Sequence, residues 1–313
     1  MHKCIRQFEA GERIDGFYLI SQYSLRTSSN HKKYLDLTLS DKSGEINAKV
    51  WDIDEDTEKN FKAGDIVKVR GDVTLWQEQM QFKIIKLRHP ESADEYNISD
   101  VIASAPYPAE EMYDFILQEI SLMEDEELRL LCESIWTDRR EKILYYPAAM
   151  RNHHAIHAGL LYHLYRMLKS GKFLSELYEL NWDLLLTGIL LHDIDKLTEM
   201  VSNELGIVSH YSNEGILLGH IVTGIKLVEQ YGEKLGISDH TRMLIQHMIL
   251  SHHYEPEYGS PKKPMFPEAE LLHHLDMIDA RMYDMKKALD DTKEGFSDPI
   301  FSLEKRRIFK TGK

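Results

Sequence analysis

The feature that most constrains this chain is a change of hydrophobic period about a third of the way along it. Between residues 13 and 88 the segments FYLISQYSL, KKYLDLTLSD, GEINAKVWD, GDIVKVRGDVTLW and MQFKIIKL are short, rich in β-branched and aromatic residues, and separated by turn-forming residues. From Glu110 onward the apolar positions recur at helical spacing, with Phe115, Ile116, Ile120, Leu128, Leu131 and Ile135 sharing one face. A period of two and a period of 3.6 bury their apolar faces in different ways, so the chain is expected to form two cores. The expected division is residues 1–90, a linker at 91–109 marked by Pro106 and Pro108, a helical lead-in at 110–150, a second domain at 151–290 and a tail at 291–313. Further helical segments are expected near 155–169, 182–192, 213–232, 239–251 and 268–289, which makes the second domain all-α.

Five strands in so short a stretch point to a small barrel. Asp41–Gly44 (DKSG) reads as a hairpin turn between the second and third strands, and DEDTEKNF at 54–61 as a polar, helix-compatible link before the fourth. Three strands, a link and two more strands is the order of a five-stranded OB-type β-barrel. A small barrel used only for subunit contact is the alternative. On the OB reading Tyr34, Trp51, Trp76 and Phe82 are candidates to stack on bases, although aromatics in small barrels often belong to the core. Lys49, together with Lys32, Lys33, Lys68 and Arg70, is placed to follow phosphates or simply to solvate a strand face.

Charge first argues against a polyanionic partner, because the formal net charge is −14. Its distribution changes that argument. Residues 1–90 carry 15 Lys+Arg against 14 Asp+Glu, whereas residues 91–313 carry 23 against 38, so the excess of acid lies in the second part, where bound cations would offset some of it. The two cysteines, Cys4 and Cys132, have no CxxC spacing, which points away from thiolate zinc and disulfides and toward a reducing, cytoplasmic setting. The longest apolar stretch, Leu184–Leu191, is too short for a membrane span, so no membrane partner is expected.

Thirteen of the sixteen histidines lie between His153 and His274, many of them within apolar helical segments. A buried imidazole without a partner loses its solvation, so repeated use near a core points to metal ligands or hydrogen-bonded pairs. LLLTGILLHDIDKL delivers His192 and Asp193 at the end of an apolar helix; His163 sits in GLLYHLYRML, His220 in GHIVTGIKLV, His252 and His253 close MLIQHMILSHH, and LLHHLDMIDARM carries Asp276 and Asp279. Imidazole and carboxylate without thiolate suit Mn²⁺, Fe, Co²⁺ or Ni²⁺ better than structural zinc, with Mg²⁺ a further candidate. His153, His154 and His157 are expected to support the site, touch substrate or belong to the core rather than to ligate, and His210, His240, His247, His273 and His274 to be ordinary surface or hydrogen-bonded residues.

The order His163, His192-Asp193, His220, His252, Asp276 resembles the HD superfamily of metal-dependent phosphohydrolases. Nearly the whole chain resembles the YhaM family of bacterial 3′-5′ exoribonucleases, through SGEINAKVWD, AAMRNHHAIHAGLLYHLYRML, ILLHDIDKL, LLGHI, LSHHYEPEYGSPKKPMFPEAELLHHLDMIDARM and FSDPIFSLEKRRIF. That resemblance implies an OB barrel followed by an HD domain, two divalent cations with Mn²⁺ favoured, and single-stranded RNA as substrate, single-stranded DNA being a second candidate. It implies that His163, His192, Asp193 and Asp276 hold one cation, that His220 and His252 hold the other with Asp193 bridging, and that His253 and Asp279 ligate or support. Asp193 is thereby catalytic, and Lys196 or Arg281 would steady a phosphate oxygen. The superfamily often reads His-Asp-x-Gly-Lys, and this chain has Asp195 in the glycine position. Competing readings are an HD-type hydrolase of nucleotides or cyclic dinucleotides, and a catalytically silent nucleic-acid-binding protein; a homo-oligomer fits any of them.

Overall fold

The computed structural model describes all residues except 1, 29, 52, 54–58, 151–153, 291 and 313. The chain forms two compact units, Met1–Ser104 and Ala105–Lys313.

In the first unit, strands β1 (Arg13–Thr27), β2 (Lys33–Asp41), β3 (Gly44–Trp51), β4 (Ile66–Trp76) and β5 (Gln79–Arg88) close a barrel in the order β1-β2-β3-β5-β4. β1 is long enough to serve two neighbours, pairing with β4 through its first half and with β2 through its second, and it shifts register between Ile20 and Gln22. Such a bulge bends a strand and lets a sheet close. β3 and β5 pair in parallel, closing the circle. Alternation sends Leu35, Leu37 and Leu39 of β2 inward to meet Tyr18, Val67, Val69 and Phe82. Phe82, a candidate for base stacking on sequence, is fully buried in this core and cannot meet a base. Gly71 is required by close approach, since a Cβ there would stand 2.3 Å from the Lys83 carbonyl oxygen.

The β2–β3 turn is fastened by Asp41, whose Oδ1 accepts from the Ser43 and Gly44 N–H groups at 2.7 and 3.1 Å. The polar link at 54–61 falls largely outside the described residues. The segment after the barrel is built onto it. Asp94 accepts from Arg88 at 2.6 Å and Lys68 at 2.9 Å, and the short helix α1 (Ile98–Val101) packs on β1 and β2. Residues 91–104 therefore belong with the first unit rather than spanning between two.

The second unit is helical: α2 (Ala109–Ser121), α3 (Glu126–Ile143), α4 (Gly159–Leu177), α5 (Trp182–Leu191), α6 (Lys196–Glu199), α7 (Asn213–Leu235), α8 (Asp239–Ser251) and α9 (Pro267–Asp290). α5 is apolar all round and sits at the centre, with every residue from Leu184 to Leu191 buried. Two small hairpins depart from the all-α expectation: β6 (Met200–Ser202) with β7 (Val208–Tyr211), and β8 (Gly295–Phe296) with β9 (Phe309–Lys310). Strands this short leave no periodicity to read. The basic tail is folded on α9, with Lys310 Nζ donating to the Leu289 carbonyl at 2.9 Å and Arg281 pairing with Glu304 at 2.7 Å.

Candidate metal centre

The core helix α5 determines where the chemistry sits, because its end carries His192 and Asp193 into the interior, 1% and 2% exposed. Three further imidazoles meet them there. His163 comes from the first turns of α4, His220 from α7 and His252 from the end of α8. α7 is broken at Gly219, whose φ of 69° and ψ of 164° only glycine adopts readily, and the His220 N–H released from the helical ladder is taken by Glu199 Oε1 at 3.3 Å.

In all four rings Nδ1 is fixed by an acceptor. His163 uses Asp279 at 2.8 Å, His192 the Ile189 carbonyl at 2.9 Å, His220 Glu199 at 3.1 Å and His252 the Ile249 carbonyl at 2.7 Å. A proton held on Nδ1 leaves the Nε2 lone pair as the ligating one. The Nε2 atoms of His192, His220 and His252, and Oδ1 of Asp193, are buried and make no hydrogen bond among the described residues. Buried polar atoms are ordinarily paired, so four that converge in this state fit a divalent cation as their common partner.

Donors divide across Asp193. Oδ1 faces His220 Nε2 at 3.3 Å and His252 Nε2 at 3.8 Å; Oδ2 faces His192 Nε2 at 3.4 Å and His163 Nε2 at 3.9 Å. Asp276 adds Oδ1 at 3.4 Å from His163 Nε2. His253 lies beside the first group, its ligand atom within 4.8 Å of those of Asp193, His220 and His252. Lys196 sends its ammonium to Asp193 Oδ2 at 2.6 Å, inside the cluster. Burial raises the Asp193 carboxyl, but Lys196 and the surrounding imidazoles outweigh it and hold the group well below the usual carboxylate range. Burial likewise depresses His163, yet its bonds to Asp276 and Asp279 win and raise it to about 9.

Asp279, expected to ligate or support, and Arg281, expected to steady a phosphate oxygen, both stand apart from the converging donors. Asp279 faces the back of His163, accepting from His154 Nε2 at 2.7 Å, His163 Nδ1 at 2.8 Å and Arg166 Nε at 2.6 Å, so it fixes the orientation of the His163 ring. Arg281 is turned to Glu304 on the tail and is not brought to the cluster. Asp195 pairs with Arg139 at 3.4 Å and accepts from Thr198 at 3.1 Å at the start of α6, outside every candidate ligand group among the described residues. His154 is buried behind His163, as a supporting role requires, while His153 lies outside the described residues. Sequence reasoning missed Glu199 and Arg166; only their charge near an apolar motif marks them.

On the barrel, Tyr34 and Trp51 face each other across β2 and β3 and stack at 4.6 Å, with the Lys49 ammonium 5.5 and 5.7 Å from their ring centres. Trp51 also borders a groove of about 550 Å³ lined by Arg70, Ile85 and Lys86. Trp76 is exposed at the tip of the β4–β5 hairpin, two strands away from that pair.

The family model of the HD domain matches residues 160–281, and that of an OB-fold nucleic acid binding domain matches residues 20–89. Fold and site together thus define an HD-domain protein carrying an OB module. The 3′-5′ exoribonuclease YhaM of Geobacillus sp. (strain WCH70) is 38% identical over 312 residues, covering 99% of this chain and 95% of its own. The Listeria welshimeri protein of the same name is 38% identical over 311 residues, covering 99% and 98%. The chain belongs to the YhaM family of 3′-5′ exoribonucleases. Among solved structures, the second OB-fold domain of replication protein A from Methanococcus maripaludis aligns with 30% of this chain and all of its own at 19% identity and a TM-score of 0.24.

Proposed function

We propose that this protein is a metal-dependent 3′-5′ exoribonuclease that holds two divalent cations, Mn²⁺ favoured, and that its barrel grips single-stranded RNA. The observation that carries the reading is the division of donors across Asp193, with His220 and His252 on one oxygen and His163 and His192 on the other. His163, His192, Asp193 and Asp276 would hold one cation; Asp193, His220, His252 and His253 the other. Cations held there supply Lewis-acid polarisation of a phosphodiester and activation of water. The chain's own residues keep the ligands aimed: Asp279 and Glu199 hold the Nδ1 protons of His163 and His220, and Lys196 fixes Asp193 Oδ2. Lys196 is a positioning residue on this geometry.

Tyr34, Trp51 and Lys49 form one ledge suited to a stacked base and its phosphate, which favours a single-stranded polymer over a free nucleotide. Both cysteines are free thiols, consistent with the cytoplasm, and among the described residues no helix is long and apolar enough to cross a membrane. The test uses 5′-labelled single-stranded RNA, single-stranded DNA, duplex and circular RNA with Mn²⁺ or Mg²⁺. The expected result is a ladder shortening from the 3′ end with nucleoside 5′-monophosphates released, and a loss above about a hundredfold in His192→Ala and Asp193→Ala. Internal fragments from circular RNA, or wild-type turnover in either variant, would overturn it.

A further inference from the structure

The segment between His253 and α9 is anchored to the metal centre at several points. His253 Nδ1 is hydrogen-bonded to the Tyr258 carbonyl at 2.6 Å, and the His253 N–H donates to Ser260 Oγ at 3.1 Å. Gly259 turns the chain at φ 98°, and a Cβ on it would stand 3.3 Å from Ile221 Cδ1, one residue beyond His220. Tyr254 is held at φ 68°, an unfavourable conformation for an aromatic residue, with its ring against His273 at 4.8 Å and the Lys263 ammonium at 4.4 Å. Strain of this kind persists only where the surroundings impose it. The short turn Pro256–Tyr258 is thus pinned beside two of the imidazoles, His220 and His253.

On this pinned turn Tyr258 is 72% exposed. An anchored backbone carrying an aromatic ring in water is what a stacking platform needs: the position is fixed and one π-face is open to any base. The Tyr258 carbonyl is bonded to the ring of His253, whose candidate ligand atom lies within 4.8 Å of those of Asp193, His220 and His252, and a nucleotide's base is one sugar away from its 5′ phosphate.

We propose that Tyr258 is the stacking platform for the base of the 3′-terminal nucleotide when that nucleotide's 5′ phosphate lies at the metal centre. The assignment rests on the exoribonuclease reading and adds to it a substrate-positioning residue on the helical unit. Stacking is indifferent to base identity, so the platform serves an enzyme that must accept every 3′ end in turn.

The experiment uses the full-length, metal-loaded protein and two single-stranded RNAs, one ending in an ordinary 3′ nucleotide and one whose terminal nucleotide is abasic. In the wild type KM should be about tenfold lower for the ordinary terminus. Tyr258→Ala should erase that difference with kcat for the ordinary substrate changed by no more than about twofold, and Tyr258→Phe should keep it. Metal content should not change, because His253 uses the backbone carbonyl of residue 258, which every variant retains. Equal KM values in the wild type, a preference that survives Tyr258→Ala, or one that is lost in Tyr258→Phe would each overturn the proposal. Tyr258→Trp gives a readout without turnover: adenosine 5′-monophosphate should quench its fluorescence beyond the wild-type background, and absence of that difference also overturns it. RNA left intact by the wild type would instead remove the exoribonuclease reading, with the fluorescence difference still reporting on stacking.

Discussion

Asp279→Asn is the sharpest test of how the centre is held. The carboxylate accepts three N–H groups, with Oδ2 taking His154 at 2.7 Å and His163 at 2.8 Å, and Oδ1 taking Arg166 at 2.6 Å. An amide has one accepting oxygen. With that oxygen toward Arg166, the NH₂ group faces His163 Nδ1, which must then give up its proton; the proton moves to Nε2, the atom aimed at the cations. With the amide reversed, two donors meet at Arg166. Either arrangement forfeits a hydrogen bond to a charged group, about 1.5–3 kcal/mol, and outer partners of ligating imidazoles are worth roughly 10–100-fold in metal affinity. The expected outcome is a Mn²⁺ dissociation constant raised about 10–100-fold, with an unchanged circular dichroism spectrum. Competition against a chromophoric chelator measures it. A variant that binds Mn²⁺ within about threefold of the wild type would show that Asp279 does not set the ligand orientation.

Gly219→Ala puts a Cβ where, among the described residues, only the Glu199 carboxylate is near, at 3.7 Å, so its cost is conformational, about 1–3 kcal/mol, read as a lower thermal midpoint together with weaker metal binding through His220. His163 is raised to about 9, so at pH 7 the ion-free protein keeps a proton there that a cation must displace; metal affinity should climb as pH rises toward 9, with about one proton released at pH 7, and calorimetry in buffers of differing ionisation enthalpy reads the release directly. Phe82→Ala should destabilise the barrel by about 3–5 kcal/mol, whereas Trp51→Ala should leave the melting curve unchanged and weaken single-stranded RNA binding by about 1–3 kcal/mol in fluorescence anisotropy. Prior treatment with a strong chelator should abolish hydrolysis, and added Mn²⁺ should restore it.

The two-core division and the cluster of imidazoles and carboxylates are visible in sequence for physical reasons. Helices with a wide apolar stripe announce themselves, and α5, α7, α8 and α9 begin within a residue of their expected starts. The histidines and aspartates carried by such helices inherit that visibility. What stays hidden depends on direction rather than identity. Asp276 and Asp279 are three residues apart on α9, close enough to look equivalent, yet one meets His163 at Nε2 and the other at Nδ1. Arg281, five residues beyond Asp276, points off a further side of the helix. Glu199 ends a four-residue helix and serves His220 across 21 positions of sequence, a contact no spacing rule reaches. Phe82 is the opposite case. Strand alternation places it with Ile84 inside and Lys83 outside, so a stricter reading of period two would have removed it from the stacking candidates.

His192 and His252 each lock Nδ1 onto the carbonyl three residues earlier in their own helix. Those two rings are therefore aimed as soon as α5 and α8 are wound, without waiting for any distant partner. A cation held by those rings would meet lone pairs that already point inward, and what it would surrender is its own hydration rather than the disorder of a chain. Each of the two proposed ligand sets thus contains one ring aimed by its own helix, His192 in one and His252 in the other, beside one aimed by a distant carboxylate, Asp279 for His163 and Glu199 for His220.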